Sequence, residues 1–376
     1  MLNLKLPLLI IVWIVFLLPF PSVAFGAQKP ASSPAKPGPQ KPETEKPSPK
    51  DPTKKDEPKA PKKNDAAGGL VEVEGQLYTK DEKEKLDKGW RRLDYDWISP
   101  EEVPNIEKGM FKINGSWVTL EQADTYHANE ETPWIIPTRH FAITSNVTRK
   151  QILQLSEFAE KTYTGMKEMF GVEPKGKMGI RIFNNVDAAN AYAQQFAGGD
   201  RANIHSSVWI GYVAEDEKER PAIVLFDGEP GKGFSHLFMM HAVVHKYMDA
   251  TFPDPDSIPE WFVEGVATYF ERYIVDGLRP WALAQLQRRG GVSKLEDATK
   301  KFSMSSDDSD GSQTKMQLAA LVIAYYAFGK DKKEEALFKK AIASMTKSKE
   351  QRASAIDKLI EDSEGLQKKL KAYAGF

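Results

Sequence analysis

Two histidines in the middle of an apolar segment are the first residues of this sequence that could do chemistry. His241 and His245 are four residues apart in the run LFMMHAVVH, which predicts a buried helix. On a helix, side chains four residues apart project from one face, so the two imidazoles can reach a single metal ion. The alternative is a pair of core histidines satisfied by hydrogen bonds, because one such pair alone is a weak signal.

A glutamate on the following predicted helix supplies a third candidate ligand. Glu264 lies 19 residues after His245, in the run WFVEGVATYFE. Its neighbour Gly265 costs about 1 kcal/mol in a helix interior, so it requires a packing reason such as close helix contact. The alternative is a solvated helix face, formed by Glu260, Glu264, Thr268 and Glu271.

Together, the two motifs resemble the gluzincin superfamily of zinc metallopeptidases, which have a peptidase MA-like fold and include thermolysin-like enzymes and zinc aminopeptidases. The pattern of that superfamily is H-E-x-x-H on one helix and a glutamate ligand on the next, often within W-x-x-E-G-x-A-x-Y-F-E. The resemblance implies one zinc ion, held by His241, His245 and Glu264. It covers roughly residues 69–328 and is closest to secreted bacterial peptidase-like proteins of uncharacterised function, which share W-V-T-x-E-E segments and an HFxxxxNV motif, here at 140–147.

One position departs from this pattern, because Ala242 stands where the resemblance places the general-base glutamate. That glutamate takes a proton from the zinc-bound water, which a methyl group cannot do. Zinc itself lowers the pKa of its water to about 7, but loss of the acid–base group costs about 10²–10⁴ in rate. The resemblance therefore implies a protein that binds zinc and is impaired in hydrolysis.

Other residues are candidates to replace the missing group. Glu260 and Asp249 each lie one helical turn from a proposed ligand, and we expect each carboxylate to project along its helix rather than toward the water. Tyr325 and Tyr326, on a later helix, either stabilise an oxyanion, as a phenol does in such enzymes, or are core residues. The remaining histidines have no spacing typical of a ligand: His127, His140, His205 and His236.

Three functional hypotheses follow from these residues. The first is a zinc-binding but catalytically impaired protein that serves as a binding or scaffold module for a peptide or protein. The second is an active zinc peptidase that uses another base or assistance from its substrate. The third is a metal-free scaffold or peptide-binding module in which the histidines are structural.

Composition restricts the class of protein. The chain has 376 residues, no cysteine, six histidines and a formal net charge of −1. The absence of cysteine excludes a disulfide scaffold, a thiol nucleophile, a cysteine-ligated metal and a lipoprotein anchor. The near-neutral charge argues against a nucleic-acid-binding protein.

We expect the N-terminal region to lie outside the folded part. In residues 1–27, Lys5 precedes an apolar stretch at 6–20 and several small residues, a pattern typical of a cleaved signal peptide. It predicts an exported protein, in the periplasm, cell envelope or medium; the alternative is an uncleaved membrane anchor, although a span requires about 20 apolar residues. Residues 28–66 are rich in proline and lysine, which predicts a disordered linker, either passive or in contact with an anionic cell envelope.

Three small 20-residue strand-turn-helix repeats are predicted over residues 69–128. Glycines recur in register at Gly69, Gly89 and Gly109. A hydroxyl three residues before Glu or Gln, the pattern of a capping box, recurs at Thr79, Ser99 and Thr119. Asn114-Gly115 predicts a hairpin turn, and Glu74-Gly75 takes its place in the first copy. The repeats form either a structural collar on the next domain or a docking surface.

Residues 138–376 are predicted to form an α+β domain, the peptidase MA-like domain, with a strand-rich first half and a helical second half. Strands are predicted at 141–144, 178–183, 206–213 and 222–226. Besides the two helices of the candidate site, helices are predicted at 148–170, 186–196, 318–328, 334–345 and 354–373. We expect the second site helix to begin at Ser257, with Glu260 as its capping partner, and residues 303–313 to form a mobile loop.

Overall fold

A computed structural model describes residues 71–73, 76–197, 208–209, 221–228, 232–271, 283–284, 286–288, 291–292, 295–302, 309–329 and 331–375. The predicted signal peptide and linker lie outside these residues, as do His205 and the turn predicted at residues 74–75. Among the described residues, none of the helices has a stretch sufficiently long and apolar to span a membrane.

The chain from residue 71 to residue 127 alternates between small antiparallel hairpins and short helices. In chain order these are β1 Val71–Val73, β2 Gln76–Tyr78, α1 Lys80–Asp87, β3 Arg91–Leu93, β4 Asp96–Ile98, α2 Val103–Glu107, β5 Phe111–Ile113, β6 Ser116–Val118 and α3 Leu120–His127. The predicted turn at Asn114-Gly115 is confirmed, since both residues have positive φ, 49° and 82°, as a two-residue hairpin turn requires.

Two of the three predicted capping boxes are present. Thr79 and Thr119 each accept a hydrogen bond from the third helical amide, and the side chains at that position, Glu82 and Gln122, accept from the cap in return. The capping box predicted at Ser99 is wrong, because α2 begins only at Val103 and has no side-chain cap. Pro104, at the start of α2, has no amide hydrogen to donate one turn back, so the preceding residues form a turn instead.

The first residue of the long helix α4 (Arg149–Phe170) ties the hairpin region to the sheet that follows. Arg149 donates two hydrogen bonds to Asp94 in the β3–β4 turn, at 2.6 and 2.7 Å. Its guanidinium also lies over the rings of Phe111 and Trp134, about 5 Å from each centroid. Asp124 of α3 accepts from the Arg149 amide and from the Trp134 indole, so charge and aromatic contacts combine at this junction.

A five-stranded mixed sheet forms the strand-rich part, in the order β10-β11-β9-β8-β7. Its strands are β7 Trp134–Pro137, β8 Phe141–Ser145, β9 Met178–Phe183, β10 Val208–Trp209 and β11 Ala222–Leu225. The central three are parallel, with Ile143, Ile180 and Ala222 side by side, and the outer two are antiparallel to their neighbours. Of the strand predicted at 206–213, the structure describes Val208–Trp209 alone.

Two predicted helices connect these strands. Helix α4, predicted from residue 148, begins after its cap Thr148, buries the apolar residues at helical spacing and ends at Gly171, whose φ of 70° suits glycine. It links β8 to β9, and α5 (Val186–Ala197) follows β9. This alternation explains why the three central strands are parallel, because a parallel neighbour requires a crossover connection.

Helices form most of the second half, so the mixed α+β class is confirmed. They are α6 Ser235–Thr251, α7 Glu260–Tyr269, α8 Ser309–Phe328, α9 Lys332–Ser344, α10 Lys349–Asp357 and α11 Ser363–Ala374. Their apolar faces and those of β8, β9 and α4 meet in one hydrophobic core.

Two details of this half differ from the predictions. Residues 309–313, predicted as loop, form the first turns of α8, because a polar run can extend a helix whose later turns are packed in the core. The predicted helix at 354–373 is interrupted, since α10 ends at Asp357, a 3₁₀ turn follows, and the Asp362 carboxylate accepts from the Gly365 amide to start α11. The rest of the predicted loop at 303–313 lies outside the described residues.

The close helix contact that Gly265 predicts is present between α7 and α8. A Cβ atom on Gly265 would lie 3.1 Å from the Cβ, carbonyl carbon and carbonyl oxygen of Ala319. Two of those three atoms belong to the backbone, so they cannot move aside without a shift of α8. The glycine therefore sets the separation of the two helices beside Glu264.

We expect Gly265→Ala to lower the free energy of unfolding by about 1–3 kcal/mol, because the overpacking outweighs the helix propensity gained. Chemical denaturation followed by circular dichroism measures this change. Adding Ala319→Gly to the variant removes one of the three close atoms and should restore part of the loss. A more stable Gly265→Ala protein would contradict the packing explanation.

Candidate metal centre

Helix α6 carries both histidines, and its start is held by the preceding loop. The Asp227 carboxylate accepts hydrogen bonds from the Phe234 amide and the Ser235 hydroxyl, both at 2.8 Å. Most of the helix is buried, as the apolar sequence around His241 and His245 predicts. The exposed fraction of each imidazole is 12%.

Helix α7, which carries Glu264, begins later than predicted. Its cap is Pro259, without a side-chain hydrogen bond, so the predicted capping box of Ser257 and Glu260 is wrong. Ile258 and Pro259 are extended, which separates Ser257 from the helix, and the Ser257 hydroxyl donates to the Asp254 carbonyl instead. The connection from α6 is pinned by the buried Arg352 of α10, which donates to the Pro253 carbonyl at 2.7 Å.

The side chains of His241, His245 and Glu264 meet between the two helices. The two imidazole Nε2 atoms are 3.1 Å apart. The Glu264 carboxylate faces both, with Oε2 at 3.4 Å from His241 Nε2 and Oε1 at 3.4 Å from His245 Nε2. The structure therefore brings the three predicted ligands together in a group that could hold a metal ion.

These separations fit the donor set of a zinc site. Ligands about 2.0–2.1 Å from zinc at tetrahedral angles are about 3.3–3.4 Å from one another. The Nε2–Nε2 separation of 3.1 Å and the 3.4 Å from each Nε2 to a Glu264 oxygen, a different oxygen for each ring, are close to that value. Two imidazoles and one carboxylate are also the ligand types of catalytic zinc sites, which leave a fourth position for water.

A second carboxylate, Glu271, holds one of the imidazoles from behind. Its Oε1 lies 2.5 Å from Nδ1 of His241, on the side of the ring opposite Nε2. A carboxylate at this place fixes the orientation and tautomer of a ligating imidazole, so that Nε2 points at the metal. Sequence reasoning placed Glu271 on the face of Glu264 but missed this role; the signal was the seven-residue spacing, two turns along α7.

Burial and the charges of neighbouring side chains shift the pKa values of His241, His245 and Glu264 in opposite directions. Burial alone would lower the pKa of His241, but Glu271 and Glu264 raise it to about 10. Burial lowers the pKa of His245 to about 4, against the attraction of Glu264. Burial would raise the pKa of Glu264, but His245 and His241 lower it to about 2. Without a metal, the two carboxylates therefore favour the protonated form of His241, burial favours the neutral form of His245, and the two histidines favour the ionised form of Glu264.

We expect Glu271→Gln to weaken zinc binding about 10–100-fold, the usual effect of losing an outer-shell partner. The amide keeps the size of the side chain but loses the charge that stabilises the His241 Nδ1–H donor. Competition with a chromophoric chelator measures the zinc affinity. Glu260→Gln, at an exposed position in the first turn of α7, is the matched control and should bind like the wild type. Equal affinity in the two variants would remove Glu271 from the site.

Ala242, one residue after His241, is fully buried in the apolar core. Its methyl group offers no proton acceptor, so position 242 supplies no general base. Of the two carboxylates considered as replacements, Glu260 is exposed and Asp249 is 9% exposed.

The two oxyanion candidates are core residues. Tyr326 is 3% exposed, and its hydroxyl donates to the Leu359 carbonyl, which gives the phenol a structural partner. Tyr325 is also buried, and its ring packs edge-on against Tyr326 and Tyr373. For this pair the structure favours the core alternative over an oxyanion role.

Three other histidines take part in contacts elsewhere in the fold. His127 packs against Trp134, with its Nδ1 at 2.7 Å from the Thr132 carbonyl oxygen. His140 stacks on Tyr163, and its Nδ1 lies 2.5 Å from a Glu160 oxygen. The ring of His236 lies 5.3 Å from that of Phe158.

A cavity of about 550 Å³ is a separate feature of the molecule. Residues of α9, α10, their connection and the 3₁₀ turn after α10 line it, including Lys340, Lys347 and Lys358. The three candidate ligands are not among its lining residues, so the metal-capable group and this cavity are distinct.

The functional interpretation rests on the geometry of the group itself. No protein-family model matches the chain, and no curated protein matches it. The gluzincin resemblance therefore remains a hypothesis that the two motifs carry. What the structure adds is the convergence of the three ligands predicted from those motifs.

Proposed function

We propose that this chain is an exported, gluzincin-type, zinc-binding protein with a peptidase MA-like domain and impaired hydrolytic activity. The observation that carries the proposal is the convergence of His241, His245 and Glu264 at separations of 3.1 to 3.4 Å. Its ligand would be a peptide or protein, as the resemblance implies.

Each residue of the group has a defined part in this proposal. His241 and His245 would hold the ion through Nε2, and Glu264 through its carboxylate. Glu271 would keep His241 in the tautomer with the proton on Nδ1. When bound, zinc supplies Lewis acidity, which lowers the pKa of a coordinated water to about 7. Binding of the ion through Nε2 of His241 requires that this atom carry no proton, because a ligating imidazole must be deprotonated at the ligating atom.

Ala242 separates binding from catalysis in this proposal. Holding the ion requires the two imidazoles and the carboxylate, and none of these is altered. Proton transfer to and from the reacting groups requires an acid–base group, and a methyl group at position 242 cannot serve as one. A protein with this combination would bind its peptide ligand without efficient turnover.

A metal-free scaffold is the second candidate, and one observation favours it. His241 lies between Glu271 and Glu264 and within hydrogen-bond distance of His245, so the polar atoms of the buried group have partners within the group. A buried charge that is paired and hydrogen-bonded does not require an ion to neutralise it.

The zinc content of the purified protein, after dialysis against a chelator and reloading, separates these candidates. The proposal expects about one equivalent of zinc per chain and little peptide hydrolysis. Less than roughly a tenth of an equivalent would favour the metal-free scaffold. If the protein hydrolyses peptides and His241→Ala abolishes that activity, the result would favour an active zinc peptidase that uses another base.

Export and the role of the N-terminal region are part of the same proposal. The apolar stretch at residues 6–20, after Lys5, supports a signal peptide over residues 1–27. The proline- and lysine-rich residues 28–66 would then act as a linker, which could contact an anionic cell envelope. The hairpin-helix units would form a collar, since Arg149 joins them to the start of α4.

A further inference from the structure

The ring of Phe270, the residue after α7, reaches helix α4 at one glycine. A Cβ atom on Gly165 would lie 2.5 Å from Cε1 of Phe270 and 3.2 Å from Cζ. Atoms this close repel strongly, so any larger side chain at position 165 displaces the Phe270 ring. Gly165 is in the interior of a 22-residue helix, where glycine is less favourable than alanine. The contact with Phe270 gives a physical reason for the glycine.

The Phe270 ring has little freedom to move. It is 1% exposed and packs edge-on against Tyr269, with the ring centroids 5.3 Å apart. Phe270 and Glu271 are in π-helical conformation directly after α7. Turns of this kind occur often at functional sites, where they redirect a side chain. A displaced Phe270 ring would therefore shift the adjacent Glu271.

Glu271 is the residue that connects this packing to the metal-capable group. Its carboxylate lies 2.5 Å from His241 Nδ1, and the opposite ring atom, Nε2, faces Glu264 and His245. The orientation of the His241 ring thus depends on where α7 ends. A chain of direct contacts leads from Gly165 through Phe270 and Glu271 to His241.

We propose that Gly165 is a positioning residue for the metal-capable group, because it admits the Phe270 ring and thereby sets the place of Glu271 and the orientation of His241. This inference rests on the proposed zinc-binding function for its effect on affinity. The geometric part, the effect on the His241–Glu271 hydrogen bond, stands without a metal.

A double-mutant cycle tests the proposal with four full-length proteins: the wild type, Gly165→Ala, Phe270→Leu and the double variant. Leucine lacks the two ring atoms that a Cβ at position 165 would approach. In the wild-type background, Gly165→Ala should weaken zinc binding about tenfold or more. In the Phe270→Leu background, the same change should alter the affinity by less than about threefold.

The His241 ring gives a second readout that requires no metal. Proton NMR of the metal-free proteins detects the Nδ1–H in its short hydrogen bond to Glu271 as a resonance far downfield. Gly165→Ala should shift or broaden this resonance, and the double variant should return it to the position in Phe270→Leu. If the wild type binds no zinc, the proposed function fails, and this resonance still decides the role of Gly165.

Two results would overturn the inference. The first is a Gly165→Ala protein whose zinc affinity and His241 resonance match those of the wild type. The second is an equal loss in both backgrounds, which would show that the effect does not pass through Phe270. If Gly165→Ala alone does not fold, the comparison of the folded double variant with Phe270→Leu decides. If the double variant and Phe270→Leu have the same zinc affinity and the same His241 resonance, the inference is supported. A lower affinity or a lost resonance in the double variant contradicts it.

Discussion

Replacing Ala242 with glutamate is expected to raise the rate of peptide hydrolysis by the zinc-loaded protein about 10²–10⁴-fold, the usual contribution of a general acid–base group. The physical reason is the place of residue 242 on α6. At 3.6 residues per turn it lies about 60° round the helix from His245, beside the face of the ligands. A carboxylate there would be within reach of a water held by the same group.

The matched control for this variant is Ala242→Gln. The amide has the same size and meets the same burial, since position 242 is fully buried, but it cannot accept the proton. Any gain that appears in both variants therefore comes from packing and not from acid–base catalysis. Initial rates with a fluorogenic peptide mixture, together with the zinc content of each protein, measure the effect.

The outcome has a direct meaning for the proposed function. A gain in Ala242→Glu alone would show that the protein binds peptides in a productive position beside the metal. No gain with zinc at full occupancy would contradict the expectation and mean that the substrate groove does not support hydrolysis. A loss of folding in both variants would indicate that the core around α6 does not accept the larger side chain.

Removing one ligand is expected to have the largest effect on metal binding. His245→Ala should reduce the zinc affinity by more than the roughly 10–100-fold that loss of an outer partner causes. One of the three converging donors is then missing, and the remaining pair is His241 and Glu264. Isothermal titration calorimetry with zinc, on chelator-treated protein, measures the change.

The chain offers a matched control in His127→Ala. His127 is a partly buried histidine that packs on Trp134, and it lies outside the group of converging ligands. It should bind zinc like the wild type, although its loss costs some stability. Unchanged zinc binding in His245→Ala would place the bound metal elsewhere and refute the assignment of the site.

Much of the fold could be predicted from local sequence patterns. The apolar residues at helical spacing between Thr148 and Gly171 predict α4, and the structure confirms both of its ends. The strands at 141–144, 178–183 and 222–226 are likewise confirmed, to within one residue at their ends. These patterns work because burial of one face imposes a period on the sequence.

The wrong predictions of local structure have a common cause: the residues on either side of a short sequence pattern can prevent the structure that the pattern predicts. Ser99 and Ser257 both precede a glutamate at the spacing of a capping box, yet neither caps a helix. Nearby prolines hold the chain in a turn or in extended conformation there, so the helix starts later. The polar sequence of residues 309–313 predicts a loop, but these residues form the start of a helix whose later turns lie in the core.

For the site, the kinds of donor and their spacing follow from the sequence: two imidazoles one turn apart, a glutamate on the next helix, and an alanine directly after the first histidine. The spacing of residues along one helix fixes the directions in which their side chains project, because every turn of an α-helix has the same geometry. That Glu264 faces both imidazoles and that Glu271 contacts the far side of the His241 ring is seen only once the helices are packed together. Those distances depend on how α6 and α7 pack, which involves residues distant in sequence: Ala319 contacts α7 at Gly265, and Arg352 donates to the connection between the two helices.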